Sequence, residues 1–202
     1  AGVLLMEYIE AKLPNDKDLV YLGSHLAELH KVSSNAFGWH SDNYIGSLDQ
    51  KNTPHASWPI FYADNRLLPQ LILAIDRGYL SKEEVPERAE MLRSLKKYCN
   101  IKEPSLIHGD LWGGNYLIDQ QGVPVLIDPS TSYADPGMDL AMSKLFGGFS
   151  SRFYDAYTEN STTPIPTEAL IEVYQIYYLL VHLNLFGRSY AAAVRHILKR
   201  YF

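Results

Sequence analysis

Residues 104–128 constrain the fold most. Apolar runs here are short and broken by glycine and aspartate, in Leu106-Ile107-His108-Gly109-Asp110-Leu111-Trp112-Gly113-Gly114-Asn115 and then Val125-Leu126-Ile127-Asp128-Pro129. Tyr116-Leu117-Ile118 and Val125-Leu126-Ile127 read as two strands joined through Gln120-Gln121-Gly122, a hairpin signal. Centring that hairpin on the Gln121-Gly122 step sets Asn115 opposite Asp128 at its open end. An amide oxygen and a carboxylate then converge.

Both flanks are helical by pattern. Leu19, Leu22, Leu26 and Leu29 form one apolar stripe after the Pro14-Asn15-Asp16 turn, predicting a helix that ends near His30. Helices are expected at about 58–77, stopped by Gly78, and at about 82–98, with Val85, Ala89, Leu92 and Leu95 facing inward. Between them, 32–59 lacks helical period and reads as a long ordered loop carrying Phe37-Gly38-Trp39 and Asp42-Asn43-Tyr44-Ile45-Gly46. Further helices are expected over 138–149, over 154–159, and as a final pair capped by Thr167. The first nine residues, Ala1 to Ile9, read as a buried strand without an initiator Met or a signal-peptide n-region. The expected class is α+β, mainly helical, with a small catalytic β-hairpin.

Composition narrows the partners. Of 202 residues, 47% are apolar or aromatic and 20% charged, enough for a sizeable core. Basic residues are scattered in a chain of net charge −5, which argues against nucleic acid or an anionic membrane and for a small-molecule or protein partner. The longest apolar run, 176–181, is far below the roughly 20 residues of a bilayer span, so no transmembrane helix is expected. A lone cysteine, Cys99, requires no oxidising compartment, and the cytoplasm is the default location.

The central constellation carries chemistry. Asn115 and Asp128 offer hard oxygens of the kind Mg²⁺ takes together with waters and substrate phosphates. Asp110, at the tip of the loop feeding the first strand, is placed to accept a proton from a hydroxyl nucleophile. The order His-x-Asp-x-x-x-x-Asn, hairpin, Asp is that of kinase-type phosphoryl transfer, with Gly109 where protein kinases have arginine. His108 is expected to be a structural imidazole bonded to backbone. Asp139 either caps its helix or ties the backbone of the catalytic loop. The tyrosines of 174–178 and His182 either fill the core or line an acceptor site, and core is the expectation.

With these residues in place, the chain resembles the fructosamine kinase (ketosamine 3-kinase) family, relatives of the aminoglycoside phosphotransferases within the protein-kinase-like fold. The family-specific marks are Trp112 after Asp110-Leu111, Gln50-x-Asn52, Trp58-x-x-Phe61, Arg66-Leu67-x-Pro69-Gln70 and Phe146-Gly147-Gly148-Phe149. The resemblance implies transfer of the ATP γ-phosphoryl group to the 3-hydroxyl of a ketosamine, a fructosamine or ribulosamine. In it Asp110 is the base, Asn115 and Asp128 hold Mg²⁺ across the phosphates of ATP, and Trp112 either offers an apolar face to the sugar or is a packing aromatic. Glu7 C=O and Ile9 N–H would face adenine in a hinge between two lobes, unless Glu7 is only the polar end of a buried strand. A complete member also needs an N-terminal lobe with a glycine-rich phosphate loop and a phosphate-binding lysine, which find no place in this sequence. The expectation is therefore the C-terminal lobe alone, with 1–10 as hinge strand and linker, 11–202 as the lobe, and no activity in the isolated chain. Competing readings are a kinase of an aminoglycoside, choline or another amino alcohol, a non-catalytic kinase-like binding module, and a Mg²⁺-dependent hydrolase.

Overall fold

The computed structural model describes residues 5–202. Its first half comprises β1 (Ala11–Lys12), α1 (Asp16–Leu29), β2 (Asn43–Ile45), β3 (Leu48–Gln50), α2 (Trp58–Tyr62), a π-helical turn (Ala63–Leu67), α3 (Leu68–Asp76) and α4 (Arg88–Tyr98). The second half adds β4 (Ser105–Ile107), β5 (Tyr116–Asp119), β6 (Pro124–Leu126), β7 (Ser132–Ala134), α5 (Gly137–Phe146), α6 (Ser151–Asn160), α7 (Glu168–Phe186) and α8 (Ala191–Tyr201). All sheets are antiparallel and small: β1-β5-β6, β2-β3 and β4-β7.

Local chemistry explains most boundaries. Asn15 caps α1, its Oδ1 accepting from Lys17 N and Asp18 N while Asp18 reaches back to Asn15 N. Thr167 Oγ1 accepts from Leu170 N at the start of α7. The helix expected over 82–98 is split, because Pro86 has no N–H to give: a short 3₁₀ turn occupies Lys82–Glu84 and α4 starts at Arg88. Its buried face is then Met91, Ser94 and Leu95, and Ala89 is exposed. The 32–59 loop is ordered as expected, but it also folds the β2-β3 hairpin.

Two further expectations need correction. The buried strand over 1–9 is not present in the described part of that segment. Residues 5–10 have no regular structure and Leu5, Met6 and Tyr8 are exposed, because nothing among the described residues pairs with or covers them; residues 1–4 lie outside the described residues. The hairpin register is also one residue off. Tyr116 pairs with Leu126 and Ile118 with Pro124, so Asn115 faces Ile127, whose N–H donates to Asn115 O at 3.0 Å. The turn decides this. Asp119 Oδ1 accepts from Gln121 N and Val123 N and centres the hairpin on Gln121.

Helix α7 organises the core, packing against α5, α3 and α8, while α1 lies along α6. By length and composition α7 is apolar enough to cross a membrane, a property that the uninterrupted run 176–181 understates, yet 61% of its apolar window is buried inside the fold. Its tyrosines are core. Tyr174 accepts from Trp58 Nε1 at 2.8 Å and donates to Asp135 at 2.6 Å, and the Tyr62 hydroxyl donates to Val173 O at 2.8 Å. The Tyr174 and Tyr62 rings thus bury their area and still satisfy their polar tips, whereas the equally buried Tyr178 hydroxyl has no hydrogen-bond partner among the described residues. Cys99 sits in the same layer, 3.6 Å from the Tyr174 hydroxyl, and burial pushes its thiol up to about 12.

Candidate active site

The loop between β4 and β5 is held from behind by a buried carboxylate. Asp139, in the first turn of α5, accepts from His108 N and Gly109 N, both at 2.8 Å, and from His30 Nε2 at 3.1 Å. Burial raises its pKa, but the His30 hydrogen bond, the favourable electrostatics of the two neighbouring imidazoles, and the Gly109 N–H outweigh this and leave it below the ordinary value. Of the two roles expected for Asp139, tying the loop is the one realised. His108 is structural, its Nε2 donating to Ile127 O and its Nδ1 accepting from Asp110 N. Gly109 has φ +86, and a Cβ there would lie 2.0 Å from Ser130 O, so only glycine fits where the loop crosses the segment after Asp128.

Three polar side chains gather at this crossing. Asn115 Nδ2 donates to Asp110 O at 2.9 Å and to Asp110 Oδ2 at 3.2 Å, which leaves its Oδ1 without a hydrogen bond among the described residues. Asp128 has φ +52, the only positive φ of a non-glycine among the described residues, at a cost of about 1 kcal/mol or more. This left-handed turn re-aims the chain after the hairpin, and Asp128 lines one cavity with Asp110 despite the shifted register. That cavity, of about 330 Å³, is bounded by Asn43, Tyr44, Gly46, Asp110, Asp128, Pro129 and Ser130. A larger cavity, of about 520 Å³, lies between residues 83–90 and α8 and contains none of these groups, so size does not follow chemistry here.

Asp110 is the perturbed acid of the site. Burial pushes its carboxyl up to about 6; His108 and the Asn115 hydrogen bond pull it down, while Asp128 and Asp139 add to the rise. A carboxyl so poised is suited to take a proton from a hydroxyl near neutral pH. Asn115 Oδ1 and the Asp128 carboxylate are hard oxygens at the edge of the same loop, a donor pair that fits Mg²⁺.

The remaining expected site residues lie around this cluster. Trp112 is 41% exposed, its ring packs back over Gly114, and it is not among the residues bounding the Asp110 cavity. Glu7 is exposed and Ile9 half-buried in the irregular segment that leads into β1, which pairs with β5 beside the hairpin. Gly148, just past α5, crosses the β4–β5 loop so closely that a Cβ on it would fall 2.6 Å from Gly113 Cα, and its carbonyl accepts from the Tyr116 hydroxyl. Sequence reasoning missed Asn43, Tyr44 and Ser130 as cavity residues. The available signal was the polar set Asn43, Gln50 and Asn52 in a loop otherwise rich in turn residues; Gln50 and Asn52 are buried and Asn43 half-buried, so they need partners.

A sequence profile described as fructosamine kinase matches residues 2–202, essentially the whole chain. The chain belongs to the fructosamine kinase family. A protein named as a ketoamine kinase from Enterococcus faecium is 39% identical over 98% of this chain and 71% of its own length. The protein-ribulosamine 3-kinase of Arabidopsis thaliana is 36% identical over 89% of this chain and 56% of its own length. The crystal structure of a protein named as a fructosamine-3-kinase from Thermobifida fusca superposes with a TM-score of 0.83 at 35% identity, covering 96% of this chain and 68% of that one. The kinase-like, mainly helical α+β fold and the membership in a family of ketoamine phosphotransferases therefore stand together.

Proposed function

We propose that this chain contributes the catalytic loop and metal site of an ATP-dependent kinase that phosphorylates the 3-hydroxyl of a ketosamine. The observation that carries the reading is the Asp110 carboxyl, lifted towards neutrality in a polar cavity it shares with Asp128, with Asn115 Oδ1 left free beside it. Asp110 accepts the hydroxyl proton as the acceptor oxygen bonds to the γ-phosphorus of ATP and the bond from that phosphorus to the bridging oxygen breaks, releasing ADP. Asn115 and Asp128 are the residues that would hold Mg²⁺, which would neutralise the charge of the ATP phosphates during transfer. Asp139, through the His108 and Gly109 amides, keeps Asp110 in position. The backbone of Glu7 and Ile9 is assigned to adenine, and Trp112 to the apolar face of the sugar at the rim. Relatives named for ketoamines and ribulosamines support the acceptor class. The net charge of −5 and the single cysteine suit a small-molecule acceptor in a reducing compartment such as the cytoplasm.

The full-length protein, assayed for ATP consumption against ketosamines, aminoglycosides and choline, is expected to respond to ketosamines. Asp110→Asn is expected to lower turnover by about 10²- to 10⁴-fold with ATP binding retained. Near-normal turnover in that variant overturns the mechanism, and silence towards every ketosamine overturns the acceptor.

A further inference from the structure

One wall of the Asp110 cavity belongs to neither the catalytic loop nor the metal hairpin. It is the β2-β3 hairpin, which contributes Asn43, Tyr44 and Gly46. This hairpin is pinned along its length. Ser130 Oγ donates to Tyr44 O at 2.7 Å, and Asn43 Nδ2 donates to Thr131 O at 2.8 Å. Asn43 Oδ1 accepts from Gln50 Nε2 at 2.9 Å and Asn52 Nδ2 at 2.8 Å. Behind these, Tyr177 donates to Gln50 Oε1 at 2.6 Å, and the buried guanidinium of Arg66 donates to Asn52 Oδ1 at 2.8 Å and Ser132 Oγ at 3.2 Å.

On this fixed platform the Tyr44 ring stands apart. It is 63% exposed and its hydroxyl makes no hydrogen bond among the described residues, although its backbone is among the most constrained at the site. A ring on a locked backbone has only two side-chain torsions left to lose on contact, so it binds at low entropic cost. The acceptor's chemistry says what it meets. A ketosamine whose 3-hydroxyl points at Asp110 carries its secondary amine only a few bonds away, protonated at neutral pH, and a cation over a tyrosine face is attracted by the ring quadrupole.

We propose that Tyr44 is a specificity-determining residue of the acceptor site, its ring at the mouth of the Asp110 cavity taking the protonated amine end of the acceptor. This rests on the kinase reading above, and it separates amine-bearing sugars from neutral ones of the same shape.

The test uses the full-length protein, the variants Tyr44→Ala and Tyr44→Phe, and two acceptors: a small-amine fructosamine and its N-acetylated form, which has the same sugar and no charge. Wild type is expected to favour the charged acceptor. Tyr44→Ala should raise the KM for that acceptor about five- to tenfold, with kcat and the KM for ATP within twofold of wild type, and should erase most of the preference over the N-acetyl form. Tyr44→Phe, which keeps the ring, should restore both. An unchanged KM in Tyr44→Ala, an equal rise for both acceptors, or a loss confined to kcat overturns the assignment. Wild-type turnover of the fructosamine is the control: its absence overturns the kinase reading and this inference together, and its presence makes the variants a test of Tyr44 alone.

Discussion

The buried carboxyl of Asp110 costs the fold stability. Its carboxyl is raised from 3.8 to about 6 chiefly by burial, so the folded state holds the proton more tightly than the unfolded chain does. Between those values the folded state binds more protons, and the contribution of Asp110 to stability falls as pH rises, levelling off above about 6. Replacing it with Asn removes the buried charge while keeping the shape. Asp110→Asn is therefore expected to melt at the same temperature as wild type near pH 4 and progressively higher above it. The gap should reach about 2 kcal/mol at pH 7, allowing for partial solvent access. Thermal melts of the two proteins across that pH range check this. Asp139 has the opposite sign: its pKa is lowered, so its contribution is present above the ordinary aspartate range and is lost only in acid.

At the scale of elements, the buried Arg66 is the fastening of the β2-β3 hairpin. Its guanidinium is fully enclosed, faces Asn52, Ser132 and the Lys51 carbonyl, and lies 4.7 Å from the centre of the Phe61 ring. It makes no ion pair among the described residues. Burial lowers its pKa, and neutral oxygens and ring faces compensate. Arg66→Met fills similar volume but leaves those acceptors unpaired, and is expected to cost about 2–4 kcal/mol. Hydrogen exchange should rise in 43–52 while α5 and α7 keep their protection, which mass spectrometry of peptic fragments measures directly. Little of this element is legible in the sequence. The Asp110, Asn115 and Asp128 spacing can be read because one loop and one hairpin supply it. Contacts such as Tyr177 to Gln50, or Ser130 to Tyr44, span more than eighty residues and leave no local period. The hairpin register differs by one from the strand-centred expectation because an Asx turn, and not the strands, decides where the centre falls. Pro86 is a visible signal that outweighs helical spacing.

At the scale of the whole molecule, the mainly helical class and the core character of the Tyr-rich helix follow from pattern, since a helix apolar on most sides has to be enclosed. The exposed segment 5–10 does not, because an apolar run looks the same whether or not something covers it. The core layer in which α4 meets α7 has one further consequence. Cys99 is the sole thiol of the chain, sealed beside Tyr174 and held protonated. It makes the protein its own unfolding clock. In native buffer at neutral pH a small disulfide reagent should label it at least roughly a thousand times more slowly than an exposed cysteine. Added urea should accelerate labelling in step with opening of this layer, so that a colour change, with no engineered probe, reports how often the core breathes.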